Sequence, residues 1–203
     1  MKKLALFAIS ALSIGSAAAA PNLLNGSFES NSVGSGYVYG PTASPWSFTG
    51  GAGISHSHTA WNGVASDGAY FAFLQNTSSL SQSFDSDVAE EYSFVFDFAA
   101  RSGYPTGQIV QVALDGALLG SFTASKTAWT TYTVTALNIA AGTHTLEFTG
   151  FAKGSDQSAF IDNVRMTATA VMAPVPEPET YGMMMAGLGL LGVLGRRKQK
   201  QAS

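Results

Sequence analysis

Alternation with period two runs through most of this chain between residues 22 and 166, and it constrains the fold more than any other feature. Tyr92-Ser-Phe-Val-Phe-Asp-Phe98 is the clearest stretch. Extended, it puts Tyr92, Phe94, Phe96 and Phe98 on one face and Ser93, Val95, Asp97 and Ala99 on the other. Four aromatics on one face require a facing layer. The same reading predicts strands over Asn22–Phe28, Trp46–Phe48, Ala69–Leu74, Leu80–Phe84, Gln108–Leu114, Ala117–Phe122, Trp129–Leu137, Thr143–Thr149 and Ser158–Met166. Asp115-Gly116, between two of them, favours a type I′ hairpin turn. No stretch of this region carries a helical period, so the expected class is all-β, an antiparallel β-sandwich. Residues 31–45 and 49–68, rich in Gly, Ser and His, are the expected surface loops and the expected place for a binding site.

The two ends follow other rules. Lys2-Lys3, an apolar core from Leu4 to Ile14 and small residues from Ser16 to Ala20 make a secretory signal peptide, residues 1–20, with cleavage expected after Ala18, Ala19 or Ala20. At the other end Pro174, Pro176 and Pro178 keep the linker 171–180 extended. Residues 181–195 are uncharged, and 196–203 form a basic tail. As a helix, 181–195 spans roughly 22 Å at 1.5 Å per residue, short of a hydrocarbon core of about 30 Å. Arg196, Arg197 and Lys198 extend it by snorkelling, and the positive-inside rule puts them in the cytoplasm.

Removing leader and tail changes the charge. The domain 21–170 keeps four cations (Arg101, Lys126, Lys153, Arg165) against eleven acids, a net charge of −7 where the whole chain carries −3. Nucleic acid and anionic membrane are poor partners for that surface; cations and neutral sugars are acceptable ones. The chain has no cysteine, which excludes disulfides, thiol catalysis and Cys-ligated zinc.

Val175-Pro176-Glu177-Pro178-Glu179, a glycine-rich apolar segment and Arg196-Arg197-Lys198 resemble the PEP-CTERM sorting signal of Gram-negative bacteria. The resemblance implies recognition by an exosortase, a membrane transpeptidase-like protease. It also implies export through the inner membrane, transient anchoring by a transmembrane helix, and delivery to the cell surface or a biofilm matrix of exopolysaccharide.

Asn22-Leu-Leu-Asn-Gly-Ser-Phe-Glu29, Asp67-Gly-Ala-Tyr-Phe-Ala-Phe-Leu-Gln75, Ala141-Gly-Thr-His-Thr-Leu146 and Ala159-Phe-Ile-Asp-Asn-Val164 resemble the galactose-binding-like jelly rolls of many carbohydrate-binding modules. That family often holds a structural calcium between its first and last strands. The resemblance therefore implies Ca2+ at Glu29 and Asp162, with backbone carbonyls near Asn25. The alternative for Asp162 is a carboxylate capping loop amides or pairing with a nearby Lys or Arg. In Ser158–Met166 both faces carry apolar residues, so alternation does not say which face is inward.

Aromatic rings in loops can stack on sugars. Tyr37 and Tyr39 can serve as such platforms. Trp61 and Tyr104 are the residues expected to be exposed, with Asn62, Arg101 and Gln108 supplying hydrogen bonds; Trp46 and Trp129 fall inside strand patterns and are expected in the core. His56 and His58 read as a solvated loop pair, and His144 as a satisfied, partly buried histidine. No Gly-x-Ser-x-Gly elbow, His-Glu-x-x-His helix or phosphate-cradling glycine loop is present. Glu90-Glu91 and the Asp85/Asp87 pair read as solvated turn acids. The expectation is a non-enzymatic surface or matrix protein that binds exopolysaccharide. The competing readings are a purely structural matrix protein and a small polysaccharide hydrolase, which would need two carboxylates across a cleft.

Overall fold

A computed structural model of the chain describes residues 22–170 apart from 32, 43, 88–89 and 152–155, together with 182–189 and 191. The expected leader (1–20), the sorting motif Val175 to Glu179, and Arg196 and Arg197 lie outside the described residues. The chain divides into two compact units, 1–170 and 171–203.

Every strand described in the first unit pairs antiparallel. Its strands are β1 (Tyr37–Tyr39), β2 (Ser47–His56), β3 (Tyr70–Ser86), β4 (Glu90–Ala100), β5 (Gln108–Leu114), β6 (Ala117–Ala124), β7 (Thr130–Ile139), β8 (Gly142–Phe151) and β9 (Ser158–Ala170). They hydrogen-bond in the order β6-β5-β8-β3-β9-β4-β7, with β2 against β3 and β1 outside β2. This is a jelly-roll sandwich, one curved sheet folded into two layers. Between the layers Tyr92, Phe94, Phe96 and Phe98 are at most 3% exposed, beside Trp46, Phe148, Leu80 and Val112. Each such side chain contributes about 1.5–3 kcal/mol on leaving water.

One long strand joins the layers. The predicted strands 69–74 and 80–84 are a single strand, β3. Its first half pairs with β9 (Ala72↔Ile161) and its second half with β8 (Leu80↔Phe148). The change of partner falls at Asn76, whose φ of 53° bends the chain without ending it. Asparagine is among the few side chains that accept this region.

β9 resolves the ambiguity in its own sequence. Asp97 pairs with Asp162 but Val95 pairs with Arg165, so a bulge intervenes, with Asn163 at φ 52°. A bulge shifts the alternation by one residue. Ala159 and Ile161 face the core before it, Val164 and Met166 after it. Phe160 and Asp162 consequently point to the opposite, outer face.

Asn22–Phe28 is not a strand. Asn25 (φ 52°) and Phe28 (φ 61°) turn it into a plug. Gln82 takes a partner strand's place, accepting from the Leu24 amide at 2.6 Å and donating to the Leu24 carbonyl at 2.8 Å. Val164 N–H donates to the Gly26 carbonyl, and Trp46 Nε1 donates to the Asn25 carbonyl. Leu23 and Phe28 are thereby buried. The expected loop 31–45 contains β1, and β2 runs into the expected loop 49–68. At the hairpin, Asp115 (51°) and Gly116 (79°) both have positive φ, as a type I′ turn requires.

In the second unit residues 182–189 and 191 are helical. No helix among the described residues is long and apolar enough to cross a membrane.

Candidate functional site

The outer face of the β2-β3-β9-β4 layer carries a second aromatic layer. Phe71 and Phe73 from β3, Phe160 from β9 and Ala99 from β4 share this face, and all are buried under the segment 57–69. Trp61 is the centre of that cover. Its ring stacks on Phe73 with centroids 3.7 Å apart and planes 19° apart. Gly63 permits the approach, since a Cβ there would stand 2.5 Å from the Phe71 ring. Trp61 is therefore 2% exposed rather than an exposed platform. An unpaired phenylalanine on the outer face draws the largest nearby apolar ring onto itself.

Arg101 continues this cluster. Its guanidinium lies 4.4 Å from the Trp61 ring centroid and 3.4 Å from that of Tyr104, a cation held between two π faces. One guanidinium nitrogen donates to the Ala60 carbonyl at 2.8 Å, and the other sits 3.4 Å from Asp156 Oδ1. Asn62, exposed, donates to the Ser102 carbonyl at 3.4 Å. Trp61, Asn62, Arg101 and Tyr104 thus come together in space, but Trp61 and Arg101 form the floor. Gln108 sits elsewhere, fully buried, donating to the Asn76 carbonyl.

The exposed surface of the site comes from β1. Tyr37 and Tyr39 are 45% and 46% exposed and meet Trp61 edge-on at 6.1 and 6.0 Å, while Tyr104 is 36% exposed on the other side of Arg101. Tyr39 donates its hydroxyl to Gln75 Oε1, and Gln75 Nε2 donates to Asp156 Oδ1 at 2.7 Å. Burial raises the Tyr39 phenol above its ordinary value, with Tyr37 adding to the effect, so it remains a donor. A cavity of about 260 Å³ opens beside Asn62, lined also by Val64, Ser102, Thr127, Trp129 and Phe160. That is just under the roughly 300–1,000 Å³ of small-molecule pockets. Trp129 is not core: it is half-buried and donates Nε1 to the Val64 carbonyl at 2.8 Å.

Three carboxylates fasten the covering segment from beneath. Glu29 Oε1 accepts from Ala69 N–H (2.8 Å) and Tyr70 N–H (2.7 Å). Asp162 Oδ2 accepts from the amides of Ser66 (2.8 Å) and Asp67 (3.0 Å), and Oδ1 from its neighbour Asn163 (2.7 Å). Asp97 takes Thr131 Oγ1 at 2.6 Å and Asn163 Nδ2 at 3.1 Å. The Ser66 hydroxyl stands between Asp97 (2.8 Å) and Asp162 (3.1 Å). Burial pushes Asp162 up to about 7 against its amide bonds. Burial also opposes ionisation of Asp97, but Thr131, Ser66 and Asn163 outweigh it and hold that carboxyl below its usual range. The Ser66 hydroxyl has one proton and can donate it to only one of these two carboxylates at a time.

For the expected calcium ligands, Asp162 gives its oxygens to three backbone amides, while both amide bonds of Glu29 fall on Oε1. Among the described residues no group of three or more His, Asp or Glu side chains is suited to a metal. His56 ends β2 with Nδ1 2.7 Å from the Ser57 carbonyl, and His58 is exposed. His144 lies between Asp115 Oδ2 (2.7 Å) and the Ala140 carbonyl (2.8 Å).

The sequence points to Tyr37 and Tyr39 as sugar platforms and to Trp129 as core, and nothing in it marks Gln75, Asp156, Ser66 or Asp97 as parts of the site. The Tyr-Val-Tyr alternation was the available signal for a shared face. Gln75 and Asp156 meet across 81 residues of chain, which no local pattern reports.

Fold and site together define an antiparallel jelly-roll β-sandwich, followed in the chain by a C-terminal sorting motif. Residues 174–198 match the PEP-CTERM protein-sorting motif. No curated protein matches the chain. Among solved structures, a Stig cyclase, Fisc, from Fischerella sp. TAU in complex with an indole compound is similar at 19% identity and TM-score 0.57, covering 74% of this chain and 97% of that one. TmCBM61 in complex with β-1,4-galactotriose is similar at 16% identity and TM-score 0.52, covering 72% and 97%. The K1 cleaved adhesin domain of Lys-gingipain from Porphyromonas gingivalis W83 follows at 13% and 0.50, covering 67% and 95%. The likeness is one of fold.

Proposed function

We propose that this chain is exported, sorted by its PEP-CTERM tail through an exosortase to the cell surface or extracellular matrix of a Gram-negative bacterium, and there binds polysaccharide without cleaving it. One observation carries the binding reading. Tyr37, Tyr39 and Tyr104 expose their rings around a rigid Trp61–Arg101 floor, with Gln75 and Asp156 beside them. Rings of this kind cover the C–H faces of a sugar, and the polar groups bind its hydroxyls. The floor is packed before any ligand arrives, which spares the ordering cost of binding.

Pull-down of the full-length chain on matrix polysaccharide, and a glycan array, test this. Galactan is the first polymer to try, because a structure of this fold holds β-1,4-galactotriose. Tyr39→Ala and Tyr104→Ala are each expected to weaken binding about tenfold, equivalent to roughly 1.4 kcal/mol. Capture of no polysaccharide would favour the structural matrix protein, and release of reducing sugar would favour the hydrolase. The intact mass of protein recovered from the medium is expected to lack the C-terminal tail.

A further inference from the structure

We infer that the tyrosine face selects neutral over anionic polysaccharide, with Asp156 as the residue that excludes acidic sugars. This rests on the polysaccharide-binding reading of the same site and deepens it.

The inference begins with the guanidinium, the group that would recognise a uronate. A carboxylate is bound best by a free guanidinium edge that offers two parallel N–H donors. Arg101 has no such edge. Both its ring-facing surfaces are covered, by Trp61 and Tyr104; one terminal nitrogen is on the Ala60 carbonyl and the other is on Asp156. Its Nε is buried without a hydrogen-bond partner, and the residue is 7% exposed. Its positive charge is committed inside the fold.

Among the described residues, the exposed charge at the site is the opposite one. The Asp156 side chain is 43% exposed. Its bonds from Gln75 and Arg101 both fall on Oδ1, so Oδ2 presents an acceptor to the ligand. An exposed carboxylate oxygen beside Gln75 and Arg101 accepts sugar hydroxyls and repels a sugar carboxylate. The domain's net charge of −7 adds a long-range term of the same sign. A neutral hexose chain brings only hydroxyls to this face; a polyuronate brings like charge to Asp156.

The test uses the full-length chain in mild detergent on immobilised neutral galactan, mannan and β-glucan, each beside the same polymer with its C6 hydroxyls oxidised to carboxylates. The expected result is binding to at least one neutral polymer and loss of most of that binding after oxidation. Asp156→Asn is expected to narrow the neutral-to-oxidised ratio about fivefold, the effect of one unit charge at about 4 Å in water. Wild-type binding to the oxidised polymer is expected to rise with salt as the repulsion is screened, a readout that needs no variant. Equal or tighter binding to the oxidised forms, or a ratio untouched by both Asp156→Asn and salt, would overturn the selectivity and leave polysaccharide binding standing. Binding to neither form would remove both.

Discussion

Asp162 shows how one residue can tie surface geometry to pH. Burial holds the pKa of its carboxyl at about 7 in the fold, against an ordinary 3.8. Below pH 3.8 folded and unfolded chains both carry the proton, and the stabilisation is complete. As pH rises the unfolded chain loses its proton first, so stability falls, by about 1.4 kcal/mol per pH unit, until the folded chain ionises near 7. Asp97 works in the opposite sense: its depressed pKa gives stability above its ordinary range, lost as pH falls through its folded value. Urea denaturation against pH is expected to show the decline between 3.8 and 7, and Asp162→Asn to flatten it. An unchanged slope in that variant would assign the decline to another group. Because Glu29 and Asp162 bind amides, EDTA is expected to leave the melting temperature unchanged; a fall on chelation, reversed by calcium, would restore the metal.

At the scale of elements, the contacts that matter most join segments distant in sequence. The plug 22–28 docks on β9 through Gly26, where an added Cβ would run into the Val164 carbonyl. Gly26→Ala is expected to cost about 1–3 kcal/mol, as overpacking does, measured by equilibrium unfolding. Alternation made β4, β5 and the Asp115-Gly116 hairpin legible, because the two faces of a strand and the conformation of a two-residue turn are set by adjacent residues, although β4 itself pairs with the distant β7 and β9. It failed at Asn76 and Asn163. There a single residue with positive φ continues a strand or reverses its faces, and an asparagine within an alternating run looks the same whether it kinks or not. It failed too at Trp61, whose burial depends on a bare Phe73 ring twelve residues away. The four loop residues singled out for a ligand do meet, since each belongs to a connection at one end of the sandwich. Their division into floor and surface was set by stacking, which sequence does not state.

At the scale of the whole molecule, the acidic sandwich and the sorting motif occupy separate stretches of the chain. The sandwich has its own closed core, and its last strand hands the chain on at residue 170, four residues before the match to the sorting motif begins. That last strand, β9, is an interior one, hydrogen-bonded to β3 on one side and β4 on the other. Tension arriving from the C-terminal end therefore pulls β9 along its own axis. Its ladders are loaded together in shear, instead of peeling apart one bond at a time as an edge strand would. A sandwich laid out this way resists a pull on its C-terminal end better than one whose chain leaves from an edge strand.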